Sequence, residues 1–233
     1  MKYLYFFVLI IFLSSCDTED DIIIPKLDEY DLEVISYFKE IALGFEFGSA
    51  SKITRKWCSD LKIFVGGEPT SDLLKELDDI ISDITELSTD NFNIEIVGDS
   101  SLSNYYIFFG KGDDYSKIFP SVSSYINSNW GLFFIWWDSL NCLNRGHMYI
   151  DIFRADFIEQ KHLLREELTQ SLGLARDSDR YVNSIFQSSW TQTLRYSDLD
   201  EDIIRLLYHP MMSNGLDVIA VDGVLREILI SEK

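Results

Sequence analysis

Residues 31–46 read DLEVISYFKEIALGFE, and Val34, Ile35, Phe38, Ile41, Ala42 and Phe45 recur at three- and four-residue spacing. That period places them on one face of a helix, which Gly44 and Gly48 help to end. KWCSDLKIFVGG (56–67) alternates at Leu61, Ile63 and Val65 and reaches a glycine pair, the pattern of a strand and a turn. Ser71 is placed to cap the next helix, with Asp72 in its first turn. Its stripe of Leu73, Leu77, Ile80, Ile84 and Leu87, flanked by Leu74 and Ile81, predicts a helix covering one face of a sheet. FNIEIVGD (92–99) and NYYIFFGKG (104–112) read as strands, GKGDD (110–114) as a turn, and 121–130 as irregular. GLFFIWWDS (131–139) is an apolar, aromatic strand. A turn over 141–146 precedes another strand, HMYIDIFRADF (147–157), and a helix over 159–174 stops near Gly173.

This order predicts an α+β fold: a mixed sheet of about five strands, covering helices and a mainly helical C-terminal region. The strand–helix–strand passage requires a parallel crossover, and the later strands leave room for an antiparallel edge. Residues 31–233 are expected to form one domain, with 31–174 as a sheet-and-helix part and 175–233 as a C-terminal part.

The N-terminus has a different pattern. Lys2 is followed by an apolar run over residues 3–13, too short for a bilayer span of roughly 20 residues but fit for the core of a secretory signal. Leu13-Ser14-Ser15-Cys16 resembles a lipobox, which implies cleavage after residue 15 and lipidation of Cys16. Residues 16–30 then read as an acidic tether. They resemble the surface-export signal of Bacteroidetes lipoproteins, with a plain solvated linker as the alternative. The expected location is the bacterial cell envelope, lipid-anchored in the outer membrane and exposed at the surface.

Charge narrows the partners. The chain has 20 Lys and Arg against 39 Asp and Glu; loss of Lys2 with the signal takes the net charge from −19 to −20. A phosphate backbone would be repelled, so nucleic acid is not an expected partner. With Cys16 lipidated, Cys58 and Cys142 remain, either as one disulfide or as two buried thiols.

The segment LLREELTQSLGLARD (163–177) carries the candidate chemistry. In the zinc-protease signature HExxHxxG, two histidines four residues apart hold one zinc while the glutamate activates water. Here Glu167 and Gly173 keep the glutamate and glycine positions, Glu166 and Gln170 replace the histidines, and Arg176 holds the place of a third ligand. Ser184-Ile185-Phe186 and the acidic run 198–202 leading to Leu207-Tyr208 extend the similarity. Together these resemble a metzincin domain whose metal ligands are gone.

A longer ordered string includes Glu166, Glu167, Gln170, Leu172, Gly173 and Asp177. It continues with Ser184, Ile185, Phe186, Leu207, Tyr208, Pro210 and Gly215. It is similar to the bacterial family catalogued as domain of unknown function 2927, closely over 160–216 and more loosely upstream to 44–57.

Glu166, Gln170 and Arg176 are therefore the candidate cleft residues, with Arg176 expected to grip Glu166 or Glu167. Glu167 and Glu166 are the catalytic candidates, although neighbouring helical positions diverge by about 100° and make a poor acid/base pair. No metal site or cofactor is expected: His147, His162 and His209 lack ligand spacing. Phe133, Phe134, Trp136 and Trp137 either line a peptide groove or pack as core. The leading expectation is an envelope lipoprotein that binds a polypeptide or glycan without cleaving it. The alternatives are a hydrolase with Glu167 as general base and a structural component of an envelope complex.

Overall fold

A computed structural model of the protein describes residues 26–46 and 49–233. The signal segment and Cys16 lie outside the described residues.

Helix α1 (Glu29–Ala42) starts before the apolar stripe because Asp28 and Asp31 form a reciprocal capping box. It ends at Ala42, and Gly44 turns the chain at φ 106°. The segment expected as one strand over 56–67 is two: β1 (Lys56–Trp57) and β2 (Leu61–Gly67), which pair with different neighbours. Helix α2 (Ser71–Leu87) is capped by Thr70, whose hydroxyl accepts from the Leu73 amide; Ser71 is the first helical residue. Strands β3 (Ile94–Ile96) and β4 (Tyr105–Gly110) follow. The expected turn after β4 is instead helix α3 (Gly112–Ile118).

Strand β5 (Gly131–Trp137) returns through a tight turn, with Asn141 at φ 64°, into β6 (Cys142–Asp151). The expected turn over 141–146 is thus mostly strand. Helix α4 (Phe157–Gln170), α5 (Asp198–Leu207) and α6 (Val218–Ser231) complete the chain.

The mixed sheet and helical C-terminal region match the α+β expectation. Strand order is β1-β6-β4-β2-β3, all parallel pairings, and β5 pairs antiparallel with the other side of β6. β5 is the edge. Side chains alternate across the sheet with period two. On β4, Tyr105, Ile107 and Phe109 join the main core, which runs without interruption from Val34 on α1 to Leu229 on α6. Phe108 faces the other way, into a smaller cluster with Tyr115, Val122, Ile126 and Tyr149 beneath α3.

Three fastenings hold this core together. Arg165 on α4 bridges Glu76 (3.2 Å) and Asp83 (2.6 Å) on α2. Asp200, fully buried, accepts from Ser184 Oγ (2.6 Å), the Ile185 amide (3.0 Å) and the Ser197 amide (2.9 Å), while Tyr37 on α1 bonds Ser184 Oγ at 2.8 Å. Cys58 and Cys142 form a disulfide with Cα atoms 5.4 Å apart across β1 and β6, which closes the alternative of two free thiols.

The end of α4 is pinned separately. Trp57 Nε1 donates to the Ser171 carbonyl (3.0 Å) and Tyr208 OH to the Leu172 carbonyl (2.9 Å). Gly173 follows at φ 115°, and a Cβ there would stand 1.9 Å from the Arg55 carbonyl oxygen. Both the left-handed backbone and the contact exclude a side chain. Gly173→Ala is expected to cost on the order of 3 kcal/mol or more, read as a lower urea midpoint with an unchanged slope.

Candidate functional site

The candidate site is a cleft of about 1030 Å³ between the free edge of the sheet and α4. One wall is β5, which contributes residues 131–135 and Trp137. The opposite wall is α4, with Leu163, Glu166, Glu167 and Gln170. Phe45, Glu46, Ser49 and Ala50 close one end, and Tyr125 to Trp130 approach the other. Asp177 and Trp190 come from the chain after α4.

Local structure explains each placement. The capping box of Asp156 and Glu159 starts α4, and the helix is buried on almost every side. Its polar residues are therefore not a solvated edge. Glu167 approaches β5 so closely that a Cβ on Gly131 would lie 2.6 Å from Glu167 Oε1. The missing side chain at Gly131 makes room for the carboxyl.

Glu166 stands 3.4 Å from His162 Nε2, one turn earlier. His162 Nδ1 meets the Thr193 carbonyl at 2.8 Å, so it carries the proton and leaves Nε2 as an acceptor. Burial holds this imidazole below its ordinary value, hence neutral. Gln170 Nε2 donates to Asp177 Oδ1 at 2.5 Å.

The electrostatics of the cleft are one-sided. Burial pushes Glu166 up to about 8, helped by the charges of Asp177 and Glu46. Burial raises Glu167 well above the usual carboxylate range, and Glu166, Asp177 and Glu46 reinforce the effect. Asp177 is raised by burial despite the Gln170 hydrogen bond, and Glu46 by burial and by Asp177. Burial and the like charges around them make each of these carboxyls hold its proton more tightly than a free one does.

Glu166, Glu167 and Gln170 are brought together as the sequence suggested. The divergence of adjacent helical positions does not separate the two glutamates, because the cleft is wide enough to receive both. Arg176 does not join them. It is half-buried beside Gly44 and forms no ion pair with Glu166 or Glu167. The turn at Gly173 carries Asp177, not Arg176, back to Gln170. The expected Arg176–glutamate cluster is corrected to a fourth carboxyl.

Asp177 and Glu46 were missed as site residues. For Asp177 a signal existed, a seven-residue spacing from Gln170 across a helix-ending glycine. For Glu46 there was none, since it reaches the cleft only through the backbone bond from its amide to the Ala175 carbonyl (3.1 Å).

The aromatic strand β5 divides between both roles proposed for it. Phe133 packs towards the main core and Phe134 towards the α3 cluster, while both touch the cleft. Trp137 stacks on Phe45 at 5.2 Å, and Trp130 meets Trp190 edge-on at 5.4 Å. His147 is buried against Phe119 and Tyr115, and burial lowers it to about 4. His209 accepts from the Met211 amide in a turn. Among the described residues, no three His, Cys, Asp or Glu side chains group closely enough to hold a metal ion. No helix among them is long and apolar enough to cross a membrane.

The family profile described as "Protein of unknown function (DUF2927)" matches residues 31–227, which span the whole sheet, the cleft and most of α6. No curated protein matches the chain.

The raised carboxyls have a stability consequence. The folded protein keeps protons on Glu166 and Glu167 that the unfolded chain releases near pH 4.5. Unfolding therefore becomes easier as pH rises from about 4.5 to about 8. Glu166→Gln is expected to be more stable than the parent at pH 8, by on the order of 1–3 kcal/mol, since each tenfold change in proton affinity is worth about 1.4 kcal/mol. It should match the parent near pH 4. Thermal unfolding of both proteins across that range checks the sign.

Proposed function

The chain belongs to the DUF2927 family of proteins of unknown function, and from that footing we propose that it is a lipid-anchored envelope protein that binds an extended polypeptide along strand β5. The observation that carries the reading is the position of the cleft, which runs along the free edge of the sheet. An edge strand offers unpaired amides and carbonyls to an incoming strand, and the alternating side-chain pockets beside it confer selectivity.

The arrangement also supports kinship with metzincins. Parallel strands, an antiparallel edge strand and a helix bearing Glu167 and ending at a glycine accord with the spacing Glu166–Gly173. The residues present do not suit zinc. Glu166 and Gln170 take the histidine positions, the Gln170 amide is engaged with Asp177, and Arg176 lies away from the cleft. The chemistry on offer is that of the chain's own carboxyls.

A second reading, a hydrolase, draws on Glu167. A carboxyl raised well above the usual range is suited to general acid work, more than to the base role the motif implies. If the protein is a hydrolase of this kind, Glu167→Gln abolishes cleavage.

The address rests on Cys16 and the tether, supported by the Cys58–Cys142 disulfide, which fits an oxidising compartment. Cys16→Ala is expected to leave the protein unlipidated and released from the membrane fraction; a variant that fractionates as the parent does would refute the anchor. For the groove, hydrogen exchange with a saturating digest of envelope proteins is expected to show new protection at residues 131–137 and in α4. Protection confined to α3 and its cluster would refute it.

A further inference from the structure

Five acidic side chains line the cleft, namely Glu46, Glu159, Glu166, Glu167 and Asp177, and no Lys, Arg or His does so among the described residues. Lys52 and Arg176 lie beside Gly44 without lining the cleft, and two other nearby cations are already engaged. Arg55 stacks on Trp137 at 4.4 Å, but its guanidinium hydrogen bonds go to Ser51 and Ile53. Arg154 lies over Trp130 at 5.9 Å and pairs with Asp151. His162, on the Glu166 side, is neutral. Strand β5 brings no charge to the cleft, and neither do Tyr125, Ser128, Asn129, Trp130, Ser188 and Trp190.

An acidic cluster alone says little, since many are simply solvated. Glu167 is different. It is only 9% exposed, it lines the cleft, and its carboxyl accepts no hydrogen bond among the described residues. A buried carboxyl without a donor costs free energy that a partner can recover. The walls around it are aromatic, with Trp130, Trp190, Phe133, Phe45 and Trp137. Carboxylates framed by aromatic faces suit an ammonium or guanidinium group, which gains both charge pairing and cation–π contact.

We propose that the extended polypeptide held along β5 presents a lysine or arginine side chain to Glu166 and Glu167, with Glu46 and Asp177 completing its surroundings. This rests on the polypeptide reading above and names the chemistry of its ligand. The cation binds the ionised carboxyls, so docking expels protons that the free cleft retains. Affinity therefore rises with pH through the range in which those carboxyls titrate.

The test uses the full-length protein and heptapeptide pools randomised at the flanking positions, with lysine, norleucine or glutamate fixed at the centre. Fluorescence of the cleft tryptophans reports binding. Calorimetry in buffers of low and high ionisation enthalpy reports protons released. The lysine pool is expected to bind about tenfold or more tighter than the norleucine pool, to tighten between pH 6 and pH 8, and to release protons. The glutamate pool should bind weakest. Glu167→Gln should erase the lysine preference while norleucine binding persists, and Glu46→Gln at the rim should reduce it in part.

Equal binding of lysine and norleucine pools, or lysine binding without proton release, would overturn the cationic ligand and leave the polypeptide reading standing. Failure of all three pools, with an oligosaccharide binding in their place or with nothing binding, would overturn both.

Discussion

The cleft depends on how helix α4 ends. Trp57 and Tyr208 take the carbonyls of Ser171 and Leu172, and Gly173 lies against the Arg55 carbonyl where no side chain fits. Helix ends leave carbonyls unsatisfied, and a glycine in the left-handed region is the common way to turn the chain there. Here the turn also tethers α4 to β1 and α5. With that end fixed, Glu166, Glu167 and Gln170 can stand only towards β5, and the chain beyond the turn returns Asp177 to Gln170. Loosening the turn would move the polar wall of the cleft as a unit.

The same constraint explains why the cleft is costly. A buried carboxyl is normally paired or well supplied with donors. Asp200 shows the protein doing this, with Ser184, Ile185 and Ser197 all directed at it. Among the described residues Glu167 has none of that support, although it is almost as deeply buried. Two acidic residues in one core thus have opposite environments. The supported one joins α1, α5 and the segment between α4 and α5. The unsupported one faces an open cleft, and a poorly satisfied group in a cleft marks a candidate site.

Much of the scaffold was legible because period carries it. The stripe from Leu73 to Ile84 is buried in α2, and the alternation of Tyr105, Ile107 and Phe109 is the inward face of β4. What failed were features set through space. KWCSDLKIFVGG looks continuous, yet Lys56–Trp57 pairs with β6 and Leu61–Gly67 with β3 and β4. Helix α3 was hidden because Gly112 and the two aspartates after it signal a turn, and the packing of Tyr115 against Tyr149 outweighs that signal. The Cys58–Cys142 pair, 84 residues apart, needed the parallel β1–β6 register to bring its halves together.

Arg176 shows where motif reasoning stops. Its place in the spacing invited an ion pair with the glutamates. The fold forms none between Arg176 and Glu166 or Glu167. Spacing along a helix is reliable as far as the helix lasts, and Glu166 and Gln170 reach the cleft as that rule requires. Beyond Gly173 the backbone leaves the helical path at φ 115°, and Asp177 reaches the cleft where Arg176 was expected. The downstream matches divide in the same manner. Ser184 and Asp200 are recognisable in the sequence, but their work is to bind α5 and the segment before it to α1. A string of residues that reads as the remains of one active site is therefore two devices, a packing joint that holds the domain together and an acidic cleft left open beside it.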